Sequence, residues 1–326
     1  MNQPVQHHYL PKHAYLNFFE SPDKGDFVWM YQRNKEPILA NIDKVAKERH
    51  LYSFTDTNGK YNTQLETIFA EMEQVASKIL KKLNNAVGQV SITTQEKTDL
   101  AYFLAIQVAR TPAFRDSLKE QTAEFAKLNM QMLASNKEAF ANTLKGFKER
   151  NPDKPDINEV ELKEYILSEK YEMKMTGEDY FLKQAIELGD AIFPAIMMKD
   201  IFILRSSSEE LITSDYPVNL IANPAIPPFY AGGFLLSGIL FPIGKKTALF
   251  CKNPNDPKDP PSKDEEILVG FKEIPPVQAR WANKIAIKRA ERFLFSSSHN
   301  SKIQDIFNKS SKPKRFYMSS PFSNKS

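Results

Sequence analysis

The spacing of apolar positions changes along the chain, and each change marks an element. In Phe27-Val28-Trp29-Met30-Tyr31, aromatic and β-branched residues crowd a short run bounded by Gly25-Asp26 and Asn34. That pattern predicts a strand, with Ile38 to Asn41 as its return partner. Thr57-Asn58-Gly59-Lys60 holds an Asn-Gly pair, which supplies positive φ angles and predicts a turn. From Asn62 the period lengthens. Leu65, Ile68, Phe69, Met72, Val75, Ala76, Ile79, Leu80 and Leu83 follow the i, i+3, i+4, i+7 rule of one buried helical face. After a break at Asn84 to Val90, Thr93-Thr94-Gln95-Glu96 spells a capping box. The Thr93 hydroxyl can accept the amide of Glu96 while the Glu96 carboxylate reaches back. The helix it opens should run to Arg110 and stop at Thr111-Pro112, where proline removes a donor and crowds the preceding turn. A third helix is expected from Ala113 to about Arg150, interrupted near Ser135, then a loop at Asn151 to Pro155. Glu159 to Ser168 and Asp179 to Met198 continue the helical pattern.

Beyond Met198 the runs become short and strand-like: Asp200 to Leu204, Leu211 to Thr213, Val218 to Ala222, Leu235 to Phe241 and Thr247 to Cys251. Proline, glycine and asparagine separate them. Asn253 to Lys263 combines four prolines with charge and predicts an exposed loop. Glu265 to Phe271 reads as a last strand or the start of a helix. A helix is expected from Pro276 to Phe295, and a mobile tail from Ser296 onward. These segments predict an α+β fold: an N-terminal strand segment, a central helical bundle, a small mainly antiparallel sheet and a C-terminal basic helix. A single domain is expected over residues 1–297, with a helical subregion at 62–198 and a β-rich subregion at 199–272 on which 1–60 packs. Residues 298–326 are expected to be a mobile basic tail.

Composition narrows the class. Of 326 residues, 41% are hydrophobic and 26% charged, ordinary globular usage that excludes a disordered, collagen-like or coiled-coil chain. The single cysteine, Cys251, excludes a disulfide framework and any multi-cysteine metal site. No apolar run nears the ~18 residues of a membrane span. The opening MNQPVQHHYLPKH lacks the features of a signal peptide, so a cytoplasmic protein without membrane association is expected.

Charge is distributed unevenly. The net charge is +4, yet Lys272 to Arg315 holds eleven basic residues against three acidic ones, so the remainder is net negative. Arg280, Lys284, Lys288 and Arg292 recur every four residues along the predicted closing helix, with Trp281 and Ile285 among them. A basic 280–292 helix fits nucleic acid as partner, because each cation placed on a phosphate releases counterions. A solvated helix face would look the same. Asn283 lies among these charges and could turn inward.

Chemistry-bearing residues cluster at three further places. His7, His8 and His13 fall within QHHYLPKH, and imidazole serves as a proton shuttle or a metal ligand. Adjacent His7 and His8 point to opposite faces of a strand and do not share one ion, so no metal ligands are assigned and the cofactor stays open. Gln107 and Arg110 share one face of an otherwise apolar helix. A buried Arg110 must be paired with an acid such as Asp215, or hold an anion. Thr213-Ser214-Asp215-Tyr216-Pro217 links two strands, and Asp215 there either forms an Asx-turn or orients a histidine. No Walker A loop, GxGxxG, GxSxG elbow or HExxH is present.

Gln6-His7-His8-Tyr9-Leu10-Pro11, Tyr15-Leu16-Asn17-Phe18-Phe19, Glu66 and Glu73, Gln107 with Arg110-Thr111-Pro112, Thr213 to Pro217, Phe241-Pro242-Ile243, and Asn283 with Ala290, Arg292, Phe293 and Phe295 stand in an order that resembles the bacterial domain-of-unknown-function family 4238. The resemblance runs to about Ser297. It implies a shared fold without an activity to carry over, and directs notice to His7, His8, Arg110, Asp215, Pro217 and Asn283. Lys12-His13 and Ile243-Gly244 depart from the family's pattern, which argues against a shared role for His13 or for a hydroxyl at 244.

Two functions from different classes fit. The first is a hydrolase or nuclease acting on a phosphate-bearing substrate, RNA or DNA among them, and suited to a toxin or defence effector. His7 or His8 would be the acid–base group, Asp215 its orienting partner, and Arg110 the group that stabilises phosphoryl charge. Gln107 and Asn283 would help to position the substrate, with Lys284 and Lys288 holding the polymer. The second is a non-catalytic nucleic-acid-binding or protein-interaction module in which the same polar residues knit the core.

Overall fold

The computed structural model describes residues 6–55, 61–62, 64–223, 233–255, 262 and 265–313. The turn expected at Thr57 to Lys60 and most of the proline-rich loop lie outside them, as do residues from 314 on. The chain divides into two compact units, one of residues up to Arg115 together with Leu182–Pro313, the other Asp116–Phe181.

The first unit opens with β1 (Gln6–His8), β2 (Phe27–Gln32), β3 (Ile38–Asn41), β4 (Lys47–Arg49), β5 (Phe54–Thr55) and β6 (Tyr61–Asn62). Then follow α1 (Gln64–Asn85), β7 (Val90–Thr93) and α2 (Thr94–Ala109). The division between units falls within α3 (Pro112–Ser135). α4 (Lys137–Arg150) and α5 (Glu159–Leu167) belong to the second unit, and α6 (Glu178–Met197) leads back to the first. There the chain continues as β8 (Asp200–Ser206), β9 (Thr213–Ser214), β10 (Asn219–Ile221), α7 (Gly233–Leu236), β11 (Gly238–Gly244), β12 (Thr247–Lys252) and β13 (Glu266–Ile274). It closes with α8 (Pro276–Arg289), β14 (Phe293–Ser296) and α9 (Ser301–Lys309).

The larger sheet has the order β10-β11-β12-β8-β13-β7. Its pairs are antiparallel except β13 with β8. Gly270 faces Phe202 in that parallel pair, and a Cβ at 270 would run into the Phe202 ring, so the register requires glycine. A second sheet has the order β3-β2-β14-β9, with the expected antiparallel pairing of β2 and β3. The fold is α+β, and one buried cluster joins α1 (Ala76, Ile79, Leu80, Leu83), α2 (Leu100, Phe103, Leu104) and the inner sheet face (Ile203, Phe241, Ile243, Leu249). α2 is buried from Phe103 through Ala109, as expected of a helix apolar all round. Its N-terminus carries both halves of the Thr93/Glu96 capping box.

The N-terminal segment packs on the larger sheet. The Tyr15 hydroxyl donates to the Pro242 carbonyl at 2.8 Å and lies 2.6 Å from the Thr213 hydroxyl, and its ring stacks on Phe241. In the second unit Ala134, Phe140 and Ile166 form a small core, and Asn136 and Asn158 cap α4 and α5. Within the expected helical subregion, α1 and α2 belong to the first unit, and residues 116–181 cluster by themselves.

Two expectations are corrected at the C-terminal end. The helix from Pro276 stops at Arg289, and residues 293–296 become a strand between β2 and β9. Leu294 faces Tyr31, Ile303 and Phe307 while Phe295 enters the main core. Both faces are thus buried, which a strand achieves by alternation. Within the stretch expected to be a mobile tail, residues 301–309 form α9, capped by Asn300, with Ile303 and Phe307 buried at i, i+4. The Arg33 guanidinium lies 4.1 Å over the Phe307 ring.

Candidate functional site

β1 pairs with β4 so that His7 stands opposite Glu48. The His7 side chain is fully buried, its ring stacked on Tyr52 at 5.6 Å between centroids. His7 Nδ1 accepts the Tyr52 amide at 2.9 Å. A nitrogen that accepts carries no proton, so the ring proton sits on Nε2, 3.3 Å from Glu66 Oε2. The Tyr52 hydroxyl in turn reaches the His8 carbonyl at 3.2 Å and the Arg110 carbonyl at 3.4 Å.

Glu66 and Glu73 are seven residues apart on α1 and therefore two turns apart on one face. Behind them Arg110, at the C-cap of α2, is fully buried. Its Nη1 donates to Glu73 Oε1 at 2.6 Å, and its Nε donates to the Tyr9 carbonyl at 3.1 Å and to Gln107 Oε1 at 3.0 Å. Gln107 Nε2 donates to the same Tyr9 carbonyl at 2.9 Å. The buried Arg110 Nη2 has no hydrogen-bond partner among the described residues. Glu66 is 37% exposed at its side chain, and its pKa is raised first by burial and then by the neighbouring Glu73 charge. The group is therefore a water-facing carboxylate with an elevated pKa, a neutral imidazole of fixed tautomer behind it, and a buried guanidinium one residue pair away.

The structure joins Gln107 to Arg110 directly and His7 to Arg110 through Tyr52, and places the other expected residues elsewhere. Asp215 does not orient His7. Its oxygens accept the amides of Glu291, Arg292 and Phe293 at 2.9, 2.7 and 3.1 Å, while the His7 nitrogens face Tyr52 and Glu66. Complete burial pushes the Asp215 carboxyl up to about 6, against the pull of those three amides and Arg292. His8 turns away from His7, as adjacent strand residues do. Burial, then Lys12 and Lys47, lower its pKa to about 4, so it is neutral near pH 7. Asn283 clamps the 210–212 loop, donating to the Glu210 carbonyl at 2.8 Å and accepting the Ile212 amide at 3.0 Å. Lys284 and Lys288 are exposed on α8. Two other cations of that stripe are paired, Arg280 with Glu209 at 2.5 Å and Arg292 with Glu48.

Sequence reading named Glu66 and Glu73 only through the resemblance and assigned them no role. The signal was present: both carboxylates flank Phe69, Met72 and Ala76 on a predicted buried face, where unpaired charge is costly. Tyr52 carried no comparable signal. Among the described residues no set of three His, Cys, Asp or Glu side chains is arranged to hold a metal. No helix among them is long and apolar enough to cross a membrane. Burial pushes the Cys251 thiol up to about 12, so it remains protonated and inert.

Comparison with known families matches residues 6–300 to the family described as Protein of unknown function (DUF4238). No curated protein and no solved structure matches the chain. The matched span contains β1, α1, α2, the Asp215 loop and α8, so every group described above lies within it. On a match that covers nearly its whole length, the chain belongs to the DUF4238 family.

Proposed function

We propose that the protein is a hydrolase of a phosphate-bearing substrate, RNA or DNA included, with Glu66 as the group that takes a proton from water. The supporting observation is that Glu66 lies 3.3 Å from His7 Nε2 and feels the charge of Glu73, the carboxylate that pairs with Arg110. Glu66 is the member that meets solvent, and its raised pKa suits a general base. His7 acts from behind: its Nε2 lies 3.3 Å from the carboxylate, and the Tyr52 amide keeps the tautomer fixed. Arg110 supplies positive charge where a phosphoryl group gains negative charge. Glu73 is the anion that now occupies Nη1, and a phosphate oxygen would take over that contact and bind Nη2 as well, giving the two-point geometry that guanidinium favours. Lys284 and Lys288 hold the polymer chain. A cytoplasmic setting belongs to this reading, as does a toxin or defence role for the activity.

Incubation of the purified protein with single-stranded and duplex RNA and DNA, and with a small aryl phosphodiester, tests the proposal. Cleavage is expected, and Glu66→Gln, at a side chain open enough to substitute without unfolding, should slow it roughly 10²–10⁴-fold. Absence of cleavage of every phosphoester, or an undiminished rate in Glu66→Gln, would overturn it. A second reading, a non-catalytic binding module, draws support from Asp215, Asn283 and Gln107, whose polar atoms bond to backbone groups. Binding without cleavage would select it.

A further inference from the structure

Four residues of α8 stack along one outward face: Val277, Trp281, Lys284 and Lys288, spaced i, i+4, i+7, i+11. Val277 is 62% exposed and Trp281 46%, a large apolar area to leave in water. The opposite side of the helix is seated by Ala279, Ala282, Ala286 and Ile287, all buried, and by the Asn283 clamp. The outward face is therefore held rigidly in place. α8 contains four cations and no acidic residue. Glu209 is held by Arg280, and Lys284, Lys288 and Arg289 have no ion pair among the described residues. Trp281 has no ring partner among them either.

From these observations we infer that this face binds single-stranded nucleic acid, with a base stacked on Trp281 and phosphates on Lys284 and Lys288. The inference rests on the phosphate-bearing substrate proposed above and narrows it to single strands. An indole is the best side-chain platform for an unpaired base, whereas a duplex offers no open base face to stack on. Trp281 and Lys288 are about 10 Å apart along the helix axis, about three nucleotides at the 3.4 Å repeat of a stacked strand. The geometry also connects this face to the candidate site. Three residues beyond Arg289, the Arg292 guanidinium lies 6.0 Å from the Tyr9 ring, and the Tyr9 carbonyl is the shared acceptor of Arg110 and Gln107.

Fluorescence anisotropy with a labelled single-stranded oligonucleotide, with the matching duplex and polyglutamate as competitors, tests the inference. The single strand should bind best. Its association constant should fall roughly 7-fold between 50 and 200 mM salt, as two phosphate contacts require. Trp281→Ala should weaken binding about 5- to 150-fold and Trp281→Phe much less, while Lys284→Glu with Lys288→Glu should abolish most of the salt dependence. Equal binding of the duplex, effective competition by polyglutamate, or full affinity in Trp281→Ala would overturn it. Hydrolysis of the small aryl phosphodiester separates the two readings. Oligonucleotide binding without that hydrolysis refutes the catalytic reading alone, and hydrolysis without oligonucleotide binding refutes the α8 reading alone.

Discussion

Arg110→Met keeps most of the side-chain volume and removes the charge and five N–H donors. The guanidinium is fully buried and makes three hydrogen bonds, one of them to the Glu73 carboxylate at 2.6 Å. Breaking a buried ion pair costs about 3–5 kcal/mol, because the remaining charge is stranded. Here the remaining charge is Glu73, 25% exposed at its side chain, which recovers part of its hydration and sets the expectation at the lower end, about 3 kcal/mol. The loss also strands the Tyr9 carbonyl only in part, since Gln107 still donates to it. For a unit of this size about 3 kcal/mol is a Tm drop of roughly 6–12 °C. The assay is thermal unfolding of wild type, Arg110→Met, Glu73→Met and the double variant. The pair should show a coupling of at least about 1 kcal/mol, with the double variant no less stable than Arg110→Met. A Tm for Arg110→Met within about 2 °C of wild type, or a coupling near zero, would refute the pairing and with it the placing of Arg110 behind α1.

Three further outcomes are expected. Asp215 has a folded pKa raised to about 6 from 3.8, so the folded state holds the proton more tightly. Its contribution is fully present below pH ~4 and about 3 kcal/mol of it is lost as pH rises through 6; denaturant titrations of Asp215→Asn across that window should lack this slope. At pH 7 the same variant turns an amide donor toward the 291–293 amides and should lose roughly 1–3 kcal/mol, seen as a lower urea midpoint at unchanged m-value. Phe307→Ala should cost about 3–5 kcal/mol; a midpoint unaffected by it would show that α9 is not part of the folded unit.

Much of the fold was legible because local signals agreed with the tertiary outcome. The α1 stripe, the Thr93/Glu96 box and the β2–β3 pair all carry a period or a cap that the packing then uses. The signals failed where tertiary partners decide. Ala290 to Phe295 continues a passable helical pattern, but the Asp215 carboxylate captures three consecutive amides there and both faces of Leu294-Phe295 are buried. Ser296 to Lys309 looks polar in composition, yet two residues, Ile303 and Phe307, anchor it. At the candidate site, His7 and Arg110 announced themselves as rare residue types in apolar surroundings. Their partners gave only the weaker signal of carboxylates beside an apolar helical face, and no local pattern says that Glu66 meets His7 or that Glu73 meets Arg110. Asp215 drew notice for the same reason as His7, but its amide partners lie 76 to 78 residues away in sequence, where no local pattern shows them.

In the proposed reading hydrolysis depends on Glu66, and the pH dependence of its action is the most direct test. The rate of aryl phosphodiester hydrolysis should rise through an apparent pKa above the ~4.3 of an ordinary glutamate, and Glu66→Gln should remove both the limb and roughly 10²–10⁴-fold of the rate. A Glu66→Gln enzyme that keeps the wild-type rate and the same rising limb would contradict it.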